Sequence, residues 1–349
     1  MTPREHGRSP GPKAWRALGA AGIAALVFLS CSGPQVTEPD YNGVVWTRLT
    51  PSSVDDCIWP DAADDSLIFS SRILVPVFDQ NNNIISYAFH HRNTVSASDG
   101  ASPFVINYLG AAYWNDLRPR WAGNQRIVFM DNRPGPGGGT YDIYYKDLDT
   151  FDEYRLLTTT GTDETAPVPR PGTAGLAYVE LLPGSARPYG PGRLVLIPDT
   201  AAVPLERIYL TPDTLRCMDP DWDPTGTKLC FSVENAADLT RHVYTMNLAP
   251  GDSLPVQRTT GLSHDFHPRW SPDGGRIVFV SDRTSRSGVW VVHPEGEGQG
   301  LKLVSFDDAN AASFTPAWTE DGTGIIVSSN GRGGQRALWL LTNLPDFGF

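Results

Sequence analysis

The sequence predicts an all-β fold, a six-bladed β-propeller of four-stranded blades in which a strand near the N-terminus completes the last blade. Three observations carry that prediction. Residues 219–232 (Asp-Pro-Asp-Trp-Asp-Pro-Thr-Gly-Thr-Lys-Leu-Cys-Phe-Ser), 267–280 and 315–328 are near copies, and their tryptophans, Trp222, Trp270 and Trp318, stand 48 residues apart. A period of that size marks a stacked or radial repeat fold. Between copies the chain runs in apolar stretches of 4–7 residues separated by Gly, Pro, Asp and Asn, the punctuation of strands and turns. Outside the N-terminal segment, no window of helical length shows a 3.6-residue apolar period.

The elements follow in chain order. Arg4, Arg8, Lys13 and Arg16 precede an apolar stretch from Ala17 to Leu29. A basic start with a short apolar core describes a secretory signal over residues 1–30, too short and too rich in Ala and Gly for a permanent membrane span. Phe28-Leu29-Ser30-Cys31 resembles a bacterial lipobox, which implies processing at, and lipidation of, Cys31. Residues 31–43 are polar and read as a tether. The propeller is expected over 44–345.

Repeat anchors fall at Trp59, Trp121, Pro169, Trp222, Trp270 and Trp318, so the intervals are 62, 48, 53, 48 and 48 residues and the length variation belongs to loops. The clearest unit shows the four strands. His267–Trp270 ends the first. Ser271-Pro272-Asp273-Gly274 is a turn in which Pro presets φ and Gly accepts a positive one. Arg276–Val280, Val289–His293 and Leu301–Ser305 supply the others, as a propeller blade requires. The last unit offers only three strands before Phe349, and Val44–Thr50 looks like the fourth strands elsewhere (Tyr154–Thr158, Val256–Thr260). Residues 44–50 are therefore expected on the outer edge of the last blade, where they cover an otherwise unpaired strand.

The pattern Pro-x-Trp-Ser-Pro-Asp-Gly-x-x-Ile-x-Phe, read best at 267–283, resembles the WD40-like repeat of TolB-type six-bladed propellers. That resemblance covers roughly residues 44–345 and implies a role in the bacterial envelope. TolB also carries an α/β domain ahead of its propeller, for which the short tail before residue 44 leaves no room. Oligopeptidases join the same propeller to a hydrolase domain, but no Gly-x-Ser-x-Gly elbow occurs here.

Composition narrows the partners. Residues 1–30 hold four basic side chains and one acidic, so removing them takes the net charge from −11 to −14. An acidic domain repels phosphate backbones, which argues against nucleic acid. It also gives no general attraction to anionic lipid, so the membrane contact expected is the lipid anchor. If residues 218–222 and 228–233 pair as a hairpin, Cys230 faces about residue 221 rather than Cys217. A Cys217–Cys230 bridge is then disfavoured, and buried free thiols are expected for these and Cys57.

His264, Asp265 and His267 form the densest group of potential ligands, placed where the chain enters a first strand at the propeller mouth. Imidazole and carboxylate suit Zn or Mn, yet His90, His91, His242 and His293 do not occupy matching places in other units. Hydrogen-bonded turn residues are the favoured reading, and no metal or cofactor is assigned. Arg120, Asp221 and Arg269 each precede a motif tryptophan, with Ile58, Val168 and Ala317 taken as their equivalents, so a charged ring is incomplete. Inter-blade ion pairing, Asp221 with Arg269, is favoured over ligand contact. Arg283, in a Ser281-Asp282-Arg283 loop echoed by Asp131-Asn132-Arg133, reads as a blade-level clasp on a neighbour or a mouth contact. Gly135–Gly139 is a hairpin loop rather than a phosphate cradle, because no Lys-Ser/Thr pair or helix follows.

No catalytic residue is assigned. The expectation is a monomeric, lipid-anchored envelope protein, on the outer membrane, whose propeller binds a protein or glycan at one face without catalysis. The rival is a metal-assisted polysaccharide lyase or hydrolase acting at the channel mouth through His264, Asp265 and His267.

Overall fold

The structure, a computed structural model, describes residues 37–39, 43–50, 55–63, 66–78, 84–97, 103–106, 115–123, 125–133, 139–157, 161–249, 253–284, 287–296, 301–304, 313–330 and 336–347. The signal segment 1–30, Cys31, most of the tether and residues 135–138 of the glycine-rich loop lie outside them. No helix among the described residues is long and apolar enough to cross a membrane.

Every regular element described is a strand. After β1 (Thr37–Pro39) and β2 (Val45–Arg48) come β3 (Asp55–Ala63), β4 (Ser66–Phe78), β5 (Ile84–Ala97) and β6 (Phe104–Val105). The second run is β7 (Asp116–Trp121), β8 (Arg126–Asp131), β9 (Asp142–Asp147) and β10 (Glu153–Arg155). The third is β11 (Glu164–Pro169), β12 (Leu176–Leu181), β13 (Gly192–Ile197) and β14 (Ile208–Tyr209). The fourth is β15 (Arg216–Trp222), β16 (Lys228–Glu234), β17 (Arg241–Asn247) and β18 (Val256–Gln257). The fifth is β19 (Asp265–Trp270), β20 (Ile277–Ser281), β21 (Gly288–Val292) and β22 (Leu301–Val304), and β23 (Ser313–Trp318), β24 (Ile325–Ser329) and β25 (Ala337–Thr342) end the chain. Each run pairs antiparallel in sequence order, and the single pair Gly192–Cys217 joins the third and fourth runs into one sheet. The first strands neighbour one another in the order β3, β7, β11, β15, β19, β23, and β23 neighbours β3. This is a propeller-type, all-β architecture.

The strand beginning the domain pairs with the one ending it. Val45, Trp46, Thr47 and Arg48 face Thr342, Leu341, Leu340 and Trp339. Leu49 N–H donates to the Leu338 carbonyl at 2.8 Å, and Leu338 N–H donates to Thr50 Oγ1 at 2.9 Å. Val44, Trp46 and Leu49 are buried in this seam. Residues 37–39, read in the sequence as tether, add one more strand outside β2.

The repeat pattern becomes a layered core. The third apolar residue of each second strand (Phe69, Phe129, Tyr178, Phe231, Phe279, Val327) is fully buried, and burying each aromatic ring contributes roughly 1.5–3 kcal/mol. The motif tryptophans pack between runs. Trp270 meets Cys230 and Val243 of the fourth run beside Ile277 and Trp290 of its own, and Trp318 meets Val278, Val289 and Val291 of the fifth. The glycine of the turn after β7, β11, β15, β19 and β23 has positive φ, and a Cβ at Gly274 would stand 3.3 Å from Pro224 of the preceding run. Cys57, Cys217 and Cys230 are buried and not disulfide-bonded, with Cys230 opposite Asp221 and Cys217 opposite Val233.

One register differs from the sequence reading. Asp61 pairs with Ile68 and Ala62 with Leu67, as Arg120 pairs with Val128 and Trp121 with Ile127. Ala62, not Trp59, therefore occupies the tryptophan place of the first run, and its interval to Trp121 is 59 residues rather than 62. Trp59 precedes Pro60 instead of following a proline, so the true invariant is the X-Pro dipeptide and not the aromatic ring.

Candidate functional site

All six first strands break ladder register at that dipeptide: Trp59-Pro60, Arg118-Pro119, Ala166-Pro167, Asp219-Pro220, His267-Pro268 and Thr315-Pro316. Proline has no N–H to give the ladder, and a bulge there re-aims the side chains around it. The residue before proline takes a left-handed φ of +50° to +53° at Trp59, Arg118, Ala166, Asp219 and His267. Such conformations cost energy at non-glycine residues. The result is two tiers of side chains around the axis shared by the first strands: the residue before each proline and the residue after it.

The tier after the prolines is a closed ionic tetrad. Arg120 Nη2 lies 2.5 Å from Asp221 and its Nε 3.4 Å from Asp61. Arg269 Nη2 lies 2.5 Å from Asp61 and its Nε 3.6 Å from Asp221. Each carboxylate also receives the next first strand's tryptophan N–H, Trp121 on Asp61 and Trp270 on Asp221, both at 2.9 Å. The sequence reading took Ile58 as the first run's member of this tier and the ring as incomplete. Register puts Asp61 there instead, so the charges balance, while Val168 and Ala317 still leave the ring incomplete. The pairing of Asp221 with Arg269 is present, and Arg120 is the closer partner. A cavity of about 260 Å³ on one side of the tetrad is walled by turn prolines and motif tryptophans. Between the tiers the space narrows to about 40 Å³, lined largely by the X-Pro residues.

The tier before the prolines opens into a cavity of about 420 Å³ at the face where first and third strands begin. Trp59, Tyr189, Phe266 and Phe314 wall it, and Arg118, Arg241, Arg336, His91 and His267 present basic groups. Each guanidinium is held twice. Arg118 bonds Asp219 and lies over Trp59 and Tyr189, at 5.2 and 5.6 Å from their ring centres. Arg336 grips Asp56 and lies 5.1 Å over Phe314. Arg241 bonds Glu234 at 2.9 Å and lies 5.3 Å over Phe266. Burial works to raise the Asp219 carboxyl, but His267, with Nδ1 at 3.0 Å, and Arg118 hold it well below the usual carboxylate range. At Asp56, burial again opposes ionisation, and His91 with Arg336 pulls the carboxyl down to about 2. Both stay ionised at any ordinary pH, so the arginines are fixed in place.

The residues singled out in the sequence separate. His267 lines this cavity. His264 donates its backbone N–H to Asp282 at 2.7 Å, and its ring lies 5.9 Å from that of Phe266. Asp265 is fully buried under Arg283, at 2.9 Å, with His242 at 3.5 Å. The three do not converge on a common point, and among the described residues no group of three His, Cys, Asp or Glu is placed to hold a metal. Arg283 lies 4.8 Å over Trp290 and clasps its own run, away from the cavity lining. Sequence reasoning missed Tyr189, Phe314, Arg118, Arg241, Arg336 and His91 as site residues. Tyr189 comes from residues 182–191, an insertion signalled by the 53-residue interval. Arg118 stood in plain view as the residue before a motif proline.

A family model described as "TolB beta propeller domain" matches residues 119–340, and the chain belongs to that family. An uncharacterized peptidase of Bacillus subtilis (strain 168), YuxL, is 33% identical over 116 residues, which is 32% of this chain and 17% of that protein. The chain thus spans well under two thirds of that relative. Among solved structures, an oligogalacturonate lyase in complex with manganese superposes with a TM-score of 0.58 and 17% identity, over 90% of this chain and 96% of that one. A gluconolactonase from Xanthomonas campestris gives 0.57 and 15%, over 92% and 98%. TolB from Acinetobacter baumannii gives 0.52 and 13%, over 82% and 79%. At these identities the likeness shows the fold alone, which hosts unrelated functions.

Proposed function

We propose that this TolB-family protein is a lipid-anchored, six-bladed binding propeller of the bacterial envelope that holds a protein or glycan partner at its mouth, without catalysis. The observation that carries the reading is the mouth cavity itself. It holds about 420 Å³ and combines aromatic walls with a few fixed polar groups, the usual make-up of a ligand site. Six runs of strands, the cyclic order of their first strands and the pairing of β2 with β25 support a closed six-bladed ring over residues 44–345. The lipobox-like Cys31 and the basic, then apolar, segment before it support the anchor. The net charge of −11 supports a partner other than nucleic acid, and a monomer is the proposed state. A metal-assisted reaction at His264, Asp265 and His267 finds no support in their diverging geometry.

Capture from solubilised envelopes, run beside a glycan array, tests the reading. A Tyr189→Ala, Phe314→Ala variant is expected to lose the wild-type partner, whereas Glu320→Lys at the opposite cavity keeps it. Retention by the mouth variant and loss by the other would place binding elsewhere.

A further inference from the structure

We propose that the mouth cavity is a carboxylate site for an acidic saccharide, with the sugar ring against Tyr189 and Trp59 and its carboxylate on Arg118. The proposal rests on the reading of the mouth as the binding face and goes further, to the chemistry of the ligand. The chain carries a net charge of −11, yet the ionisable side chains that face this cavity are mostly basic. Three arginines and two histidines line it against one carboxylate, Asp219. The other acids of the network, Asp56 and Glu234, are not in the lining and serve to pin Arg336 and Arg241 from outside it.

Arg118 is the centre of the site. It is 9% exposed, spends Nη1 on Asp219, and its Nε is buried with no hydrogen-bond acceptor. A buried, unpaired N–H on a charged group is costly to keep and is satisfied best by an anionic acceptor. Because stacking and ion pairing already fix these guanidiniums, little side-chain freedom remains to be lost when a ligand arrives.

The rest of the lining favours a sugar acid over a peptide end. Tyr189 is 46% exposed and its ring lies 5.4 Å from that of Trp59, giving an aromatic platform beside the guanidinium. A peptide would bring backbone N–H groups that need acceptors, and the one lining carboxylate is already taken by Arg118 and His267. Sugar hydroxyls accept as well as donate. The cavity volume of about 420 Å³ lies in the range of roughly 300–1,000 Å³ typical of small-ligand sites.

Calorimetric titration of the full chain at low salt tests this, with gluco- and galacto-configured uronic disaccharides, their neutral counterparts, and a tripeptide with a free or amidated C-terminus. The expected result is at least about tenfold tighter binding of an acidic disaccharide than of its neutral form, weakening as salt is added. Arg118→Met should remove that preference, and Tyr189→Ala, in an exposed insertion, should weaken both sugars. The second variant keeps the test decisive if the first does not fold. Equal affinity for acidic and neutral sugars, or binding of the free tripeptide with no binding of uronates, would overturn the proposal. If no sugar binds while partner capture still depends on Tyr189 and Phe314, the acidic-saccharide proposal fails and the mouth reading stands. If capture is also indifferent to those residues, both fail.

Discussion

Replacing Asp221 with alanine should be among the most damaging single changes near the axis. Asp221 is 4% exposed and accepts hydrogen bonds from Arg120 at 2.5 Å and from the Trp270 N–H at 2.9 Å, with Arg269 at 3.6 Å. Removing it leaves two buried guanidiniums facing Asp61 alone and strands a backbone donor between two runs. Breaking a buried ion pair by deleting one partner costs about 3–5 kcal/mol, and an orphaned buried N–H costs about 1–3 kcal/mol by itself. These overlap, so about 3–5 kcal/mol is expected in all. With roughly 2 °C of melting temperature per kcal/mol in a domain of this size, the shift should be about 6–10 °C. Urea unfolding followed by tryptophan fluorescence measures the free energy, and calorimetry the melting temperature. A second variant separates charge from packing. Asp221→Leu with Arg120→Leu leaves the neutral Arg269–Asp61 pair, and should recover more than half of the loss. A single-variant cost below about 1 kcal/mol, or a double variant worse than the single, would refute the tetrad as a balanced ionic latch.

Three further outcomes follow from the same contacts. Deleting residues 43–50 removes the buried Val44, Trp46 and Leu49 and should cost roughly 5–8 kcal/mol, whereas deleting the two-residue outer strand β18 should cost under about 1 kcal/mol; equal melting temperatures would contradict the clasp. Glu164 is fully buried, and desolvation pushes its carboxyl from 4.5 up to about 8. It is therefore protonated in the fold but ionised in the unfolded chain between those values, and stability should fall by roughly 3–5 kcal/mol as pH rises from 4.5 to 8. Glu164→Gln should flatten that slope in urea titrations across pH; an unchanged slope would contradict the assignment. Gly226→Ala should destabilise more than Gly172→Ala. Both have positive φ, but the added Cβ at Gly226 meets the Pro171 carbonyl oxygen at 2.9 Å while that at Gly172 meets nothing within 4 Å. About 1 kcal/mol is expected at Gly172 from backbone conformation alone, and equal costs would argue against the close packing of successive turns.

The sequence made the architecture legible because its signals were local. Trp222, Trp270 and Trp318 with their Pro/Glu-Asp/Thr-Gly turns repeat at fixed spacing, and Val44–Thr50 carries the composition of an outer strand. The first unit was misplaced because Trp59 drew the alignment to an aromatic ring, when proline position is what the backbone bulge enforces. That three-residue slip hid Asp61, and with it the neutrality of the ring around Arg120, Asp221 and Arg269. The mouth was harder still. Tyr189, Arg241, Arg336 and Phe314 come from three different runs, and only the ring of first strands brings them together. Spacing along the chain carries no trace of such a meeting. Conversely, His264, Asp265 and His267 adjoin in sequence, yet alternation along the strand sends them to different surroundings.

Amide hydrogen–deuterium exchange of the protein with its captured partner bound tests the location of function most directly. Protection should appear in segments 185–191, 264–268 and 314–316, around the 420 Å³ mouth, and be absent from the turns at 271–274 and 319–322. Protection confined to those turns, or to the outer strands, would contradict it.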